Sequence, residues 1–371
     1  MAYDFPASPT PGQTFNNYVW DGEKWKLQSP PVTGAVRYDI AQGLTSTQKS
    51  QARANIDVAR KNYIINGAMM ISQENGSNPS IADQYYPVDQ FYLTKGLTAI
   101  DPGVVQVINV TTPGGSINRL RANVNTVHAT VTAGEYCAIN TKIEGLRVAD
   151  LLLGTAAAKT VTLQFGVKAP AGTYCVGINN GTFNRSYVAE YTIAAGEANT
   201  DVVRTVTFTG DVTGTWAKDN TAGLVFFFTL LAGTTFRTSA NTWTAGNFFA
   251  TANQSNFTGT AGSNFELFDV SLTEGTVAPP FQVPDYASEL LACQRYFEIT
   301  QIIVGSGATG TFANQAGWKS TKRALPTIPT PSFNAGTGAT FGVIGLGTGG
   351  IYQLTAHSGV ATATVTGNAR L

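Results

Sequence analysis

A two-residue alternation of apolar and polar side chains runs through the chain between Asn62 and Val283 and limits the folds available to it. In the clearest case, Thr160 to Lys168, every second residue is apolar: Val161, Leu163, Phe165 and Val167. An apolar residue at every second position is typical of a β-strand with one buried face. The segments 136–143, 202–209 and 265–272 alternate in the same way. This part of the chain is therefore predicted to consist of short strands.

One run in this region is apolar at consecutive positions instead. Leu224 to Leu231 (LVFFFTLL) predicts a central strand with both faces buried. It is far too short to span a bilayer as a helix. Clusters such as Pro113-Gly114-Gly115 and Asn179-Asn180-Gly181 separate the runs and read as turns. About ten strands with turns between them predict a mainly β fold, a jelly-roll β-sandwich over residues 62–283.

Two helices interrupt the β pattern. Thr45 and Gln48 form a capping-box pair at the start of a helix that runs to about Ala59, within a linker of residues 33–61. Its apolar stripe is thin (Ala52, Ile56 and Ala59), so the helix is unstable alone and suits packing of identical helices in a homotrimer. A surface helix on its own domain is the alternative. A second helix, Tyr286 to about Phe297, follows Asp285 as N-cap and opens a C-terminal β region, predicted as a tip domain spanning residues 284–371.

Residues 1–32 are rich in proline and aromatic side chains. Asp21-Gly22 between Trp20 and Trp25 predicts a hairpin turn flanked by two indoles, and Phe5 lies upstream. So short a unit has no core of its own, which predicts docking on something larger. Neither a basic n-region nor an apolar h-region opens the chain, so we expect synthesis in the cytoplasm without a signal peptide.

The charge content excludes several function classes. Lysine plus arginine and aspartate plus glutamate both number 23, and charged residues make up only 12% of the chain. Nucleic acid and anionic membranes need a basic excess, so neither is expected as a partner. Residues 299–371 contain no aspartate or glutamate. The three cysteines, Cys137, Cys175 and Cys293, are predicted to be small buried hydrophobes.

No motif in the sequence supports catalysis or cofactor binding. Gly305/Gly307/Gly310 and Gly345/Gly347/Gly350 match the dinucleotide pattern, but neither has a good helix or an acidic residue after it, so they read as β-turn glycines. His128 and His357 have no second ligand at metal spacing. Glycoside cleavage needs two convergent carboxylates, which the sequence cannot identify among Asp150, Glu190, Asp211 and Glu266. We expect no catalytic residue, metal or cofactor.

Aromatic residues beside amides and hydroxyls are the remaining chemical feature. Trp243 lies in the uncharged segment 241–246 (NTWTAG), and Tyr187, Trp216 and Trp318 lie near asparagine, arginine or lysine. A flat ring flanked by polar groups can stack on the apolar face of a sugar. These four residues are the candidates for glycan binding, and ordinary packing in the core or at strand ends is the alternative.

Several segments resemble tailed-bacteriophage tail fibres. Residues 45–58 (TSTQKSQARANIDV) resemble the helical segment of fibre stalks, and residues 62–70 (NYIINGAMM) with Val88-Asp89-Gln90-Phe91 resemble the opening of the domains that follow. The segments 243–248 (WTAGNF) and 264–275 (NFELFDVSLTEG) resemble the closing strands of carbohydrate-binding-module-like jelly rolls. Residues 277–297, with Cys293-Gln294-Arg295-Tyr296 as the most specific part, resemble the end of that domain. Residues 3–25 are similar to N-terminal virion-attachment segments.

The resemblance implies a homotrimeric virion protein made in the host cytoplasm, a tail fibre or receptor-binding protein. Its N-terminus, with Phe5, Trp20 and Trp25, would anchor to tail or baseplate proteins, and its distal part would bind a host surface polysaccharide. It implies adhesion without catalysis. A polysaccharide depolymerase tailspike and a purely architectural head or baseplate fibre are the alternatives.

Overall fold

A computed structural model describes residues 5–27, 45, 48, 52, 61–97, 102–304, 310–329, 332–335, 345–356 and 361–371. The chain divides into two compact units, Met1–Ile56 and Asp57–Leu371. The mainly β class predicted from the alternation is confirmed.

The first unit holds a small antiparallel sheet of β1 (Thr14–Phe15), β2 (Tyr18–Trp20) and β3 (Trp25–Leu27). Trp20 pairs with Trp25 across the hairpin, with ring centroids 5.6 Å apart, as the turn at Asp21-Gly22 predicts. Phe5 stacks on Trp25 at 5.2 Å. With so few residues the hairpin relies on these ring contacts for its packing.

The capping box predicted at the start of the first helix is present. The Thr45 amide donates to Gln48 Oε1 at 2.9 Å, and the Gln48 amide donates to Thr45 Oγ1 at 3.2 Å. Ala52 is helical. Ile56 and Ala59, the other two residues of the predicted trimer stripe, lie outside the described residues, so the stripe stays a prediction.

Two antiparallel sheets dominate the second unit. The six-stranded sheet has the order β13 (Thr244–Ala245), β10 (Arg185–Ile193), β9 (Gly172–Asn180), β12 (Ala222–Ala232), β7 (Tyr136–Glu144), β4 (Phe91–Gly96). The five-stranded sheet has the order β11 (Val202–Phe208), β8 (Val161–Lys168), β14 (Asn264–Glu274), β6 (Asn118–Asn123), β5 (Gly103–Ile108). The chain crosses repeatedly between the two sheets, and only the consecutive strands β5–β6, β9–β10 and β12–β13 stay within one sheet. The predicted β-sandwich is confirmed.

The main core lies between the two sheets. All four apolar residues of the alternation in β8 belong to it and are fully buried: Val161, Leu163, Phe165 and Val167. In β12, Phe226 and Phe228 join the same core, whereas Phe227 points to the opposite face of its sheet. Strand β12 lies between β9 and β7, so the prediction of a central strand buried on both faces is confirmed.

A second apolar layer covers the outer face of the six-stranded sheet. Phe249 stacks on Phe227 at 4.7 Å and on Phe236 at 4.9 Å. The close approach of this layer requires glycine at position 177 of β9, because a Cβ there would lie 2.3 Å from Cβ of Phe249 and 2.5 Å from its Cα. The three cysteines are free and buried, as predicted.

Helix α1 (Gly145–Val148) is a single turn, and α2 (Tyr286–Gln294) follows the sandwich. Asp285 caps α2 by accepting a hydrogen bond from the Ser288 amide at 2.9 Å, as predicted. The helix ends at Gln294, three residues earlier than the sequence predicts, and Phe297 begins a strand. The predicted extension to Phe297 is wrong, because Arg295 is the C-cap of the helix and Phe297 pairs with Asn368 in a strand.

The C-terminal region contains two further three-stranded antiparallel sheets. One has the order β15 (Phe297–Val304), β20 (Ala361–Asn368), β17 (Ser332–Ala335), and the other has the order β16 (Gly310–Gly317), β19 (Gly350–Ala356), β18 (Gly345–Leu346). Both belong to the same compact unit as the sandwich. The domain boundary predicted between residues 283 and 284 stays a prediction.

The Cys293–Tyr296 motif joins this region to the sandwich. Arg295 donates two hydrogen bonds to the carboxylate of Glu144, at 2.8 and 2.6 Å, and the Tyr296 hydroxyl donates a third at 2.9 Å. Cys293 packs in a small apolar cluster with Ile65 and Ile71. The motif that carries the most specific part of the resemblance is therefore a structural junction between α2 and β7.

Candidate functional site

Three of the four predicted glycan-binding aromatics lie together. The Trp243 ring centroid is 5.3 Å from that of Tyr187 and 5.4 Å from that of Trp216. The indole nitrogen of Trp243 donates to the Thr209 carbonyl at 2.8 Å, and that of Trp216 donates to the Thr213 carbonyl at 3.0 Å. Backbone carbonyls thus hold both indoles in place.

Burial decides how much of this cluster a sugar could reach. Tyr187 and Trp216 are each 7% exposed and belong to the main core, and burial raises the pKa of Tyr187. Trp243 is half-buried and packs against the same core. Trp318 lies apart, 7% exposed, with the Lys322 ammonium 4.9 Å from its ring centroid. For Tyr187, Trp216 and Trp318 the structure therefore favours ordinary packing over glycan binding.

A larger cleft opens where the sandwich meets the C-terminal region. We call it the tyrosine–arginine cleft, after Tyr85 and Tyr86 on the sandwich side and Arg323 and Arg370 on the other. Its volume is about 580 Å³. Amide side chains of Asn75, Gln84 and Asn368 also line it. That volume lies within the range of roughly 300–1,000 Å³ typical of ligand clefts.

Arg370 is the central charged group of this cleft. Its guanidinium carbon lies 3.8 Å from the ring centroid of Tyr86 and 3.9 Å from that of Phe297. One terminal nitrogen, Nη1, pairs with the Glu74 carboxylate at 2.6 Å. The two nitrogens on the other edge, Nε and Nη2, are buried and have no hydrogen-bond partner among the described residues. An Arg edge with two parallel donors fits a pair of oxygens on a ligand.

Arg323 fixes the chain that carries Arg370. It donates to the carbonyls of Ala369 at 2.5 Å, Arg370 at 2.6 Å and Asn220 at 2.8 Å. Burial lowers the pKa of Arg323. Residues 369 and 370 follow β20, and these bonds hold them against the sandwich. The cleft therefore has a rigid floor of two guanidinium groups beside one carboxylate.

The tyrosines supply the opposite wall. The Tyr85 hydroxyl donates to the Asn78 carbonyl at 2.5 Å, and the Asn75 amide donates to the Tyr86 carbonyl at 2.8 Å. Burial raises the pKa of Tyr86 to about 12, so its phenol stays neutral at physiological pH. Leu325, 61% exposed, forms an apolar edge. Ring faces, amides and an ion pair at one cleft are the groups that bind saccharides.

Sequence reasoning missed this cleft, although one signal was available. Gln84-Tyr85-Tyr86 places two aromatic side chains beside an amide, the criterion applied to Trp243. Arg323 and Arg370 follow more than 230 positions later in the chain, and no local pattern connects them with the tyrosines. Only the return of β20 to the sandwich brings the two groups together.

The carboxylates considered for catalysis are each bound to a different partner. Asp211 pairs with Arg185 at 2.6 Å, Glu266 with Arg119 at 2.9 Å, and Asp150 with Lys61 at 3.1 Å. Glu190 accepts hydrogen bonds from Thr251 and Asn253. Each carboxylate thus holds a separate structural contact.

The described residues show neither a metal cluster nor a membrane-spanning helix. Within them, no three or more His, Cys, Asp or Glu side chains gather in a way that could hold a metal ion. No helix in the described part of the chain is long and apolar enough to cross a membrane. The Gly347 amide donates to the Gly350 carbonyl at 2.9 Å, so the second glycine motif contains a turn, as predicted; Gly305 and Gly307 of the first lie outside the described residues.

Comparison with known proteins yields structural neighbours only. No family model and no curated protein matches the chain. An enzymatically active domain of tailspike protein 4 from bacteriophage CBA120 is similar over 58% of this chain and 21% of its own, with 12% identity and a TM-score of 0.32. The chain thus spans about a fifth of that tailspike domain.

Two carbohydrate-binding modules are similar over most of their own length. TmCBM61 in complex with β-1,4-galactotriose matches 58% of this chain and 99% of its own, with 9% identity and a TM-score of 0.29. The family 11 module of Lic26A-Cel5E from Clostridium thermocellum matches 56% and 98%, with 12% identity and a TM-score of 0.27. At these scores the neighbours identify neither a family nor a function.

Proposed function

We propose that this chain is a trimeric, non-catalytic adhesion protein of a tailed-bacteriophage virion, a tail fibre that binds a host cell-surface polysaccharide. The tyrosine–arginine cleft is its binding site. The observation that carries the proposal is Arg370, which is held between two aromatic rings and ion-paired through one nitrogen only. Its other edge carries two buried hydrogen-bond donors that have no partner among the described residues.

Binding without cleavage is supported by the carboxylates of the cleft. Hydrolysis of a glycosidic bond ordinarily needs two carboxyl groups, one as acid and one as base or nucleophile. Glu74 is the one carboxylate among the described residues that line the cleft, and it is ion-paired with Arg370. The residues that line the cleft on the C-terminal side fall within the range 299–371, which contains no aspartate or glutamate at all.

The virion role is supported by the resemblance of the N-terminal, stalk and domain-closing segments to phage tail fibres. Three copies of one weak site would bind a repetitive polysaccharide with high avidity, because the second and third contacts become intramolecular. The paired indoles of Trp20 and Trp25, with Phe5, are the residues that would dock on tail or baseplate proteins.

Substitution of Arg370 tests the cleft. Arg370→Met keeps the apolar stem between Tyr86 and Phe297 and removes the donors, so we expect affinity for the polysaccharide to fall about tenfold or more. The measurement is surface plasmon resonance of the full chain on capsular and lipopolysaccharide preparations from a panel of strains. Arg204→Met, an ion-paired arginine on β11 outside the cleft, is the matched control. Unchanged binding by Arg370→Met would show that the site lies elsewhere.

Removal of residues 1–32 tests the anchor. Since the sandwich has its own core in the second unit, we expect the shortened chain to stay soluble and to bind polysaccharide, but not to join virions. The measurement is immunoblotting of purified particles after complementation of a deletion phage with either form. Incorporation of the shortened chain would contradict the assignment of the anchor to this segment.

A further inference from the structure

A second cleft lies on the outer face of the five-stranded sheet. The segment 279–284 (PPFQVP) forms its roof, and the outward-facing residues Ser271 and Thr273 of β14 line its floor. Arg147 and Glu289 also border it, and its volume is about 250 Å³. We call it the proline-roofed cleft. None of its lining residues belongs to the tyrosine–arginine cleft.

The floor carries two hydroxyl groups without partners. Ser271 is 5% exposed and Thr273 2% exposed, and neither hydroxyl oxygen has a hydrogen-bond partner among the described residues. Positions 271 and 273 alternate along the strand and therefore share one face. Buried hydroxyls are nearly always bonded in native proteins, so two adjacent exceptions in one cleft indicate a missing partner.

The charged residues beside the floor are already held in place. Arg147 donates to the carbonyls of Tyr63 at 2.7 Å and Asn62 at 2.8 Å. The Glu289 carboxylate accepts from the Asn66 amide, and burial raises its pKa. One cation and one anion leave the cleft without net charge, which favours a neutral ligand over a phosphate or a uronate.

The roof adds an apolar surface. Pro279, Pro280 and Phe281 line the cleft, and Gly67 and Ala68 on the opposite side leave room because they are small. A pyranose ring has an apolar face that packs on such side chains and hydroxyls at its edge that bond to polar groups. A volume of about 250 Å³ is below the range of roughly 300–1,000 Å³ for larger ligands, so one ring fits.

We propose that the proline-roofed cleft binds one pyranose unit of a neutral saccharide, with its hydroxyls bonded to Ser271 and Thr273. This site is separate from the tyrosine–arginine cleft and would contact a second part of the same surface glycan or a branch of it. The two proposals rest on different residues. The tyrosine–arginine cleft could bind glycan while the proline-roofed cleft does not, and the proline-roofed cleft could bind a sugar while the tyrosine–arginine cleft does not.

The test is ligand-observed saturation-transfer NMR of the full chain with D-glucose, D-galactose, D-mannose and N-acetyl-D-glucosamine. We expect transfer to the ring protons of at least one sugar. The double variant Ser271→Ala/Thr273→Val should bind about tenfold more weakly or worse. Its melting temperature should be unchanged or higher, because the hydroxyls it removes have no partner in the free protein.

Two controls separate this site from its surroundings. Thr205→Val removes an exposed hydroxyl from the same sheet face, since Thr205 and Ser271 both pair with Gln164, and it should leave binding intact. Arg370→Met should also leave pyranose binding intact. The proposal is overturned if no sugar shows transfer, or if the double variant binds as well as the wild type. A clear loss of thermal stability in the double variant would also overturn it, since that result would assign the hydroxyls a structural role.

Discussion

Replacing Lys322 with methionine is expected to lower the free energy of unfolding by about 3–5 kcal/mol. Lys322 and Glu298 form an ion pair of 2.6 Å in which both side chains are completely buried. The ammonium also donates to the Gln294 carbonyl and lies 4.9 Å from the Trp318 ring centroid. Removing it leaves the Glu298 carboxylate buried without a counter-charge. Urea unfolding followed by tryptophan fluorescence measures the loss.

Two further variants make this result specific. Lys319→Met, an exposed lysine three positions away, should change stability by no more than about 0.5 kcal/mol. Lys322→Met combined with Glu298→Gln should recover part of the loss, because no unpaired charge then remains buried. A loss below about 1 kcal/mol in Lys322→Met would mean that the carboxylate reaches water and that the packing around this pair is looser than described.

Replacing Glu144 with glutamine is expected to cost about 2–4 kcal/mol at neutral pH. The side chain is 4% exposed and accepts three hydrogen bonds from Arg295 and Tyr296. Glutamine keeps the shape but loses the charge and one acceptor oxygen, so the junction between α2 and the sandwich weakens. Equilibrium unfolding in urea at pH 7 measures the difference from the wild type.

The difference in stability between the wild type and Glu144→Gln should also depend on pH, in a direction that the pKa of Glu144 sets. Burial raises the pKa of Glu144, but the hydrogen bonds from Arg295 and Tyr296 outweigh it, and the pKa lies below its usual value of 4.5. The unfolded chain therefore takes up the proton more readily than the folded one. The stabilisation is fully present above pH 4.5 and is lost as the pH falls through the lower folded-state pKa. The two proteins should converge in stability in acid; a constant difference would show that the charge plays no part.

The sandwich was predictable because its signal is local. The alternation in β8 predicts one buried face, and the continuous apolar run in β12 predicts two. In the structure those faces are buried. The capping box of Thr45 and Gln48, the Asp285 cap and the Asp21-Gly22 turn were likewise predictable from short-range chemistry. The end of α2 was not, because Phe297 begins a strand by pairing with Asn368, about 70 positions later, and no local pattern shows that pairing.

The candidate site was much less predictable. The rule that an aromatic beside polar residues marks a sugar site selected Trp243, which remains half-exposed, but also Tyr187 and Trp216, which fill the core beneath it. Whether a ring faces solvent depends on the strands that cover it, and those strands are distant in sequence. The partnership of Tyr86 with Arg370 depends on the same long-range return of the chain.

Binding of the full-length protein to immobilised surface polysaccharides of candidate host bacteria, with reducing ends assayed in the same samples, tests the proposed function most directly. We predict saturable binding to at least one polysaccharide, weakened in Arg370→Met, and no increase in reducing ends. The absence of binding to every polysaccharide tested would contradict adhesion. Release of oligosaccharides would contradict binding without cleavage.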